Sequence, residues 1–491
     1  MPPMRPRFAL LAFCWTALAC LGPASVWAQA GKAAARGTDD GRAPPAMAGA
    51  TPLPASVQAA LQRAKLPPSA LHLVVLDPEA RTPRLSHQAE LPINPASLMK
   101  LVTTAAALDL LGPTHTWRTQ VFVEGVIKDG VLQGALYLRG GGDPKLTVER
   151  LWLLLRRVQG LGIQRIQGDL VLDNTSFDLP PHDPASFDGE PLRPYNASPD
   201  ALLLNFKSML LHFVPDRAAQ VARVHIEPPL AGVQYPATVP LQSGDCSDYR
   251  SALRADFSDP QRVRFGGAYP AACGERIWPI AYSAPSQYAT RLVQGLWQQL
   301  GGQLSGQVRL GKVPAHLQPV LQFDSPPLAE VVRDVNKFSN NVMAQQLLLS
   351  LSAQGATPGQ FEASRQVVQR WWRDRIGGEP PIVDNGAGLS RDERLTAQDL
   401  ARLLQWVWRS PFMPELASSL PLTGQDGTLK RSKAQAAAHL KTGSLRDVAG
   451  LAGYVDGAQG KRWILVVVLH HPQAQMGRAV LDAVVDWTAE Q

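Results

Sequence analysis

The run Leu71-His72-Leu73-Val74-Val75-Leu76 is apolar almost without interruption, and Gly450 to Val455 and Trp463 to Leu469 repeat that texture near the other end of the chain. Short runs lacking polar alternation suit strands covered on both faces. Asp77-Pro78 turns the first run toward a second strand, after which Asn94-Pro95-Ala96-Ser97 opens a helix. Pro95 sits near its first turn, Leu98 to Leu111 carries only short polar interruptions, and Gly112-Pro113 stops it. From about Trp117 to Gln318 the pattern changes to short β-like runs between Gly, Pro and Asp turns. Examples are Gln120 to Val123, Leu136 to Leu138, Gly168 to Asp173 and Val221 to Ile226. This stretch predicts one or two inserted β-rich modules. Beyond it, Leu328 to Leu351, Glu362 to Arg375 and Met476 to Ala489 read as helices. Helices flanked by terminal strands predict α/β (α+β) packing, with the first strand pairing with the last two.

With 491 residues, the chain is too long for one ordinary core. The expected organisation is a domain of residues 56–118 and 320–491, split by an inserted β-rich region over 119–319. Ahead of it, Arg5 and Arg7, the apolar stretch Phe8 to Leu21 and the small residues around Ala28 and Ala30 have the layout of a secretory signal peptide over 1–30. Residues 31–55 are rich in Ala, Gly and Pro without hydrophobic period, which predicts a disordered leader. The apolar stretch of the signal is short for a membrane span, and no later segment comes closer. Export to an oxidising compartment leaves Cys246 and Cys273 in the mature chain, and two such thiols most often form one disulfide. A pair of cysteines cannot make a zinc site, and no HExxH occurs, so His470-His471 after the apolar run reads as a strand end and not a metal ligand. The net charge of +7 is spread out, with no block of five basic residues, which argues against nucleic acid as partner.

The candidate chemistry begins at Ser97-Leu98-Met99-Lys100. On a helix, positions three apart share a face, so the Lys100 amine stands within reach of the Ser97 hydroxyl. A serine at a helix N-terminus also has backbone N–H groups and a positive dipole end around it, which favour developing negative charge. For Lys100 to act as base, burial or a neighbouring cation must lower its pKa. Taken alone, the tetrad reads equally as an ordinary helix start with an exposed lysine. Two further stretches change that balance: Ser339-Asn340-Asn341 between apolar helical runs, and Lys441-Thr442-Gly443-Ser444 in a strand-like context. Together they give Ser-x-x-Lys, Ser-x-Asn and Lys-Thr-Gly in that chain order. Ser339 would pass a proton to the leaving amine, and Asn341 would hold both Lys100 and a substrate amide. Lys441 and Thr442 would bind a substrate carboxylate, and Gly443 would leave the strand edge bare for a peptide. The N–H of Ser444 would join that of Ser97 in an oxyanion hole. Strict alternation along a strand, however, sends Lys441 and Thr442 to opposite faces.

With these motifs on the page, the sequence resembles the class C low-molecular-mass penicillin-binding proteins, the D-alanyl-D-alanine carboxypeptidase/endopeptidases with a large insertion between their first two motifs. The resemblance runs from about Ser56 to the C-terminus. It includes Gly140-Gly141-Gly142-Asp143-Pro144, Gly168 to Asp173, Asp384 to Arg391 and Asp426-Gly427-Thr428-Leu429. The 242 positions between Ser97 and Ser339 match that insertion. The resemblance implies a serine-transpeptidase/β-lactamase-like domain with a large inserted β-rich region. It implies Ser97 as the acylated nucleophile, Lys100 as its base, Ser339 and Asn341 as second motif, and Lys441, Thr442 and Gly443 as third. Arg391 is implied to face the free end of the stem-peptide side chain, with Asp173 contributing from the insertion; a surface ion pair and a turn cap are the competing readings. The serine-peptidase chemistry so implied requires no metal or organic cofactor. The expected partners are peptidoglycan stem peptides, with β-lactams as covalent inhibitors, in the periplasm. A β-lactamase-type hydrolase and a non-catalytic wall-binding protein are the alternatives.

Overall fold

The computed structural model describes residues 52–353, 355 and 357–491. The expected signal peptide lies outside the described residues, as does the expected leader up to residue 51; within its last residues, Ala55 already opens the helix Ala55–Arg63. A five-stranded sheet orders the two ends of the chain: Ala438–Leu445, Val448–Asp456, Arg462–His470, Leu71–Leu76 and Leu85–His87, neighbours pairing antiparallel. Of the last two strands, only the final one pairs with the first, whose other neighbour is Leu85–His87, and the final one passes the ladder on to Val448–Asp456. Register explains the apolar runs. Val74, Leu76, Ile464, Val466 and Val468 point into one core, whereas Leu73, Val75, Leu465, Val467 and Leu469 point into another. A period of two divides one run between two buried faces, so nearly every position is apolar; the exception, His72, has its Nδ1 3.0 Å from the Gln88 carbonyl oxygen.

The terminal helices Ala55–Arg63 and Arg478–Ala489 cover one face through Val57, Leu61, Val480 and Val484. The other face carries the helical layer that holds the site. Its central helix, Met99–Leu111, is buried at every position from Met99 to Leu108, so it runs through the core instead of lying on it. The expected helix from Leu328 to Leu351 is two helices, Leu328–Lys337 and Asn341–Ser350. The break lies at the motif itself: Ser339 takes φ 55°, a left-handed conformation, and the Asn340 side chain accepts from the Met343 N–H at 3.1 Å as the cap of the second helix. Periodicity continues across such a break, and only the cap residues betray it.

Between these elements stand a seven-stranded sheet, a five-stranded sheet and a hairpin. The stretch expected to be β-rich also contains two long helices, Val148–Gly160 and Pro285–Gln299, whose Leu151, Leu155, Leu292 and Leu296 share a core with the strands. Their apolar spacing is that of one-sided helices, and the abundance of turns around them masks it. Leu321–Asp324 returns to pair with Arg118–Lys128, the first strand of this region. Cys246 and Cys273 form a disulfide. The Gly140 to Pro144 segment lies where backbones nearly touch: a Cβ on Gly140 would stand 2.2 Å from the Ala201 carbonyl oxygen. Gln346, on the helix after Ser339, donates to the carbonyls of Gly142 (3.2 Å) and Asp200 (2.9 Å), which docks that helix on this segment.

Candidate active site

Ser97 lies in the tight turn Ala96–Leu98 that leads into the core helix. Ala96 adopts φ 48°, and the Asn94 side chain stabilises that bend by accepting from the Ala96 N–H at 2.9 Å while donating to the Ser390 carbonyl at 2.8 Å. Three bonds then hold the Lys100 amine. It donates to Ser97 Oγ at 2.9 Å, to Asn341 Oδ1 at 2.7 Å and to the Ala387 carbonyl. Lys100 is fully buried, and burial pulls its pKa down to about 7, with the nearby Glu393 carboxylate opposing the shift. The reason lies in the helix: an element apolar on all sides leaves an amine no route to water.

Lys441 is fully buried as well. Its amine donates to Ser339 Oγ and to the Thr442 carbonyl, each at 2.9 Å. Burial, and secondarily the Lys100 charge, hold it well below the ordinary lysine range. Both hydroxyls in the pocket therefore have an amine of weakened basicity beside them. Alternation separates Lys441 from Thr442, whose hydroxyl instead meets that of Thr428 at 2.8 Å. This strand is the edge of its sheet. Gly443 also meets the chain itself. A Cβ there would stand 2.9 Å from the Pro95 carbonyl oxygen and 3.0 Å from Leu98 Cγ, so the missing side chain lets the strand press against the nucleophile turn. Ser444 is exposed, next to Gln475, whose amide nitrogen stands 3.1 Å from its hydroxyl.

The second arm of Asn341 is engaged within the chain: Nδ2 donates to the Tyr195 carbonyl at 3.2 Å, so the inserted region fixes the rotamer that delivers Oδ1 to Lys100. Arg391 is exposed, with its guanidinium 4.6 Å above the Phe187 ring and 3.9 Å from Asp447. It lines a cavity of about 380 Å3 together with Phe187, His182, Ser198, Gln345 and Asn385. That cavity shares with the Ser97 site the loop that carries Ala387. Asp173 stands apart from these groups. Its buried carboxylate accepts from Val313 N (2.8 Å), Thr175 N (3.0 Å), Thr175 Oγ1 (2.7 Å) and Arg139 Nε (3.1 Å), and its carbonyl accepts from Gly140 N. It caps a turn and ties the strand end to Gly140.

Three partners of the site escaped sequence reasoning. Two are the backbone carbonyls of Ala387 and Tyr195, which any residue could supply and which therefore have no signature. The third is Glu393, three residues beyond the Gly-Leu-Ser of a motif already singled out; it lies in the charged run Arg391-Asp392-Glu393-Arg394, where nothing in the sequence marks one acid as the buried one.

Residues 53–491 match the model of the D-Ala-D-Ala carboxypeptidase 3 (S13) family. The chain belongs to that family. Membership makes it a serine-type D-Ala-D-Ala carboxypeptidase of the penicillin-binding class. Among curated relatives, the D-alanyl-D-alanine carboxypeptidase of an Actinomadura species is 28% identical over 90% of this chain and 85% of its own length. The crystal structure of penicillin-binding protein 4 from Haemophilus influenzae superposes with a TM-score of 0.70 at 22% identity, covering 87% of this chain and 99% of that one. A second crystal structure of that protein, complexed with a β-lactam, gives 0.66 at 22% identity, over 88% and 99% of the two chains. At these identities the superpositions establish a common fold. Among the described residues no helix is long and apolar enough to cross a membrane.

Proposed function

We propose that the chain hydrolyses D-alanyl-D-alanine bonds of peptidoglycan stem peptides through an acyl-enzyme on Ser97. One observation carries this reading: a fully buried amine with pKa about 7 is held between Ser97 Oγ and Asn341 Oδ1. Ser97 Oγ attacks the carbonyl of the scissile amide while its proton passes to neutral Lys100. The tetrahedral oxyanion draws on the backbone N–H groups of Ser97 and Ser444. As it collapses, Ser339 gives its proton to the departing D-alanine amine and is reprotonated with the proton that Lys100 took up, so Lys100 is neutral again, while Lys441, bonded to Ser339 Oγ at 2.9 Å, stabilises the transient serine alkoxide. Water then attacks the ester, with Lys100 again taking the proton.

The substrate carboxylate accepts from the Thr442 hydroxyl, and its negative charge favours the protonated form of Lys441, which reaches the site from the other face of the same strand behind Ser339. Arg391 borders the cavity where the stem-peptide side chain lies. The same chemistry serves a terminal D-alanine and a D-alanyl cross-link, so carboxypeptidase and endopeptidase action both fall within it. The catalytic part comprises 56–118 and 320–491, with 119–319 as the inserted region that positions Asn341 through Tyr195. Export through the signal peptide of residues 1–30 sets the enzyme in the periplasm. β-Lactams acylate the same serine and leave slowly. Intact-protein mass spectrometry after benzylpenicillin tests the assignment: the wild type gains one adduct and Ser97→Ala none. An adduct on Ser97→Ala removes Ser97 from the role, and rapid turnover with no persistent adduct makes the protein a β-lactamase.

A further inference from the structure

Glu393 has no place in the reaction just described, yet it is fully buried beside it. Its Oε1 accepts from three successive backbone N–H groups, those of Asp384 and Asn385 at 3.2 Å and of Gly386 at 2.9 Å. A chain wrapped around a carboxylate in this way forms an anion-binding concavity. Its far side presents carbonyls to the nucleophile helix: that of Gly386 accepts from Thr103 Oγ1 at 2.7 Å, and that of Ala387 accepts from Lys100. The fit is close, because a Cβ on Gly388 would lie 1.9 Å from the Ala96 carbonyl oxygen. The other oxygen of Glu393, Oε2, is buried with no hydrogen-bond partner among the described residues. A buried carboxylate is costly unless an opposite charge and hydrogen bonds compensate it.

We infer that Glu393 is a positioning residue for the acylation step: it shapes the 384–387 turn whose Ala387 carbonyl holds Lys100, and its negative charge balances one of the two buried lysines. The inference rests on the proposed reading in which Lys100 is the base. Two ammonium groups packed this close repel, so a single buried anion supports one proton on the pair and leaves the other amine neutral. Charged groups reach this site from each packed element. Lys100 faces Glu393 from the core helix, Lys441 faces Lys100 from the edge strand, and Asp384 faces Glu393 from its own turn. Arg365, on the helix Phe361–Arg375, binds Asp384 at 2.8 Å and tempers its charge. Burial raises the Glu393 carboxyl to about 7, and the three N–H groups and Lys100 oppose the rise.

The pH profile of benzylpenicillin acylation, followed on the full chain by mass spectrometry, separates positioning by charge from mere loop support. Glu393→Gln keeps an acceptor for the N–H groups and removes the charge. Lys100 then loses its stabilising anion, and the acid limb of the profile moves down by roughly one pH unit. Glu393→Asp keeps the charge, so its limb stays at the wild-type position even as the maximal rate falls by about tenfold through looser geometry. A Gln profile superimposable on the wild type would overturn the inference. If Gln fails to give folded protein, an Asp limb displaced acidward by a full unit would overturn it too. Neither result touches the Ser97 assignment, which stands or falls on the Ser97→Ala adduct.

Discussion

Acylation should depend on pH through the buried amine, and the size of the effect follows from its surroundings. With a pKa of about 7, the neutral share of Lys100 is about a tenth at pH 6, half at pH 7 and nine-tenths at pH 8. An ordinary lysine would leave only about one amine in three thousand neutral at pH 7, so burial supplies roughly a thousandfold more base. The rate constant for benzylpenicillin acylation, measured by stopped flow from pH 5.5 to 9, should rise about tenfold per unit below pH 7 and level off above pH 8. Because Glu393 titrates in the same window, the midpoint belongs to the Lys100–Glu393 pair. Lys100→Arg keeps its proton at every pH used, and its acylation should fall by about a thousandfold or more. The same shift appears in stability. The folded pKa of Lys100 lies below the unfolded one, so between about pH 7 and 10.5 the unfolded chain binds the extra proton and this group makes stability rise with pH. The cost is roughly 4 kcal/mol at pH 7, of which about 2 kcal/mol is recovered by pH 9. Urea unfolding should therefore show the wild type gaining about 2 kcal/mol on Lys100→Met across that interval. A flat rate profile, or a Lys100→Arg protein that keeps a tenth of the wild-type rate, would refute the assignment of Lys100 as base.

Gly388→Ala should uncouple the loop from the nucleophile. At φ 79° an alanine is strained by about 1–2 kcal/mol, and its Cβ would meet Ala96 and the Ser97 nitrogen, so acylation should drop about a hundredfold or more while far-UV circular dichroism stays native. An unchanged rate would show that the turn tolerates displacement. Replacing Cys246 and Cys273 together by serine removes a link between residues 27 apart and should cost about 3.5 kcal/mol in the inserted region by the chain-entropy relation. The penicillin adduct should persist, and its loss at temperatures where the protein remains folded would show that the region's stability reaches the site.

The order of motifs, the buried strands and the helix beginning at Ser97 were legible because each is a local pattern: an apolar period, a cap, a stop. Their convergence was legible only through the combination of three motifs, since no spacing says that Lys441 meets Ser339. What stayed hidden was of another kind. The carbonyl of Ala387 recognises Lys100 with backbone atoms, and the Tyr195 carbonyl does the same for Asn341. The left-handed Ser339 splits a helix that hydrophobic periodicity runs straight through, because both halves bury the same kind of face. The clash that Gly443 avoids with Pro95 and Leu98 is likewise a tertiary contact that no local pattern announces. Asp173, read from the resemblance as a contributor to the site, spends its carboxylate on Val313, Thr175 and Arg139, which is the turn-cap role.

The packing that stabilises the sheet also sets the chemistry. Val74, Val466 and Val468 share a core with Leu98, Met99, Leu101 and Val102, so the helix carrying Lys100 is closed to water by the strands that the chain ends supply. Each of those side chains stabilises the fold by about 1.5–3 kcal/mol on burial. That stabilisation opposes the penalty of enclosing Lys100, Lys441 and Glu393, all buried in the fold. A substitution that admitted water beside Lys100 would thus work in two directions. It would lower stability through the cavity and raise the amine's pKa toward 10.5, which quenches the base at neutral pH. Core and catalytic residues of the core helix Met99–Leu111 cannot be varied separately, because the proton is driven off Lys100 by the same apolar surface that holds the strand to the helix.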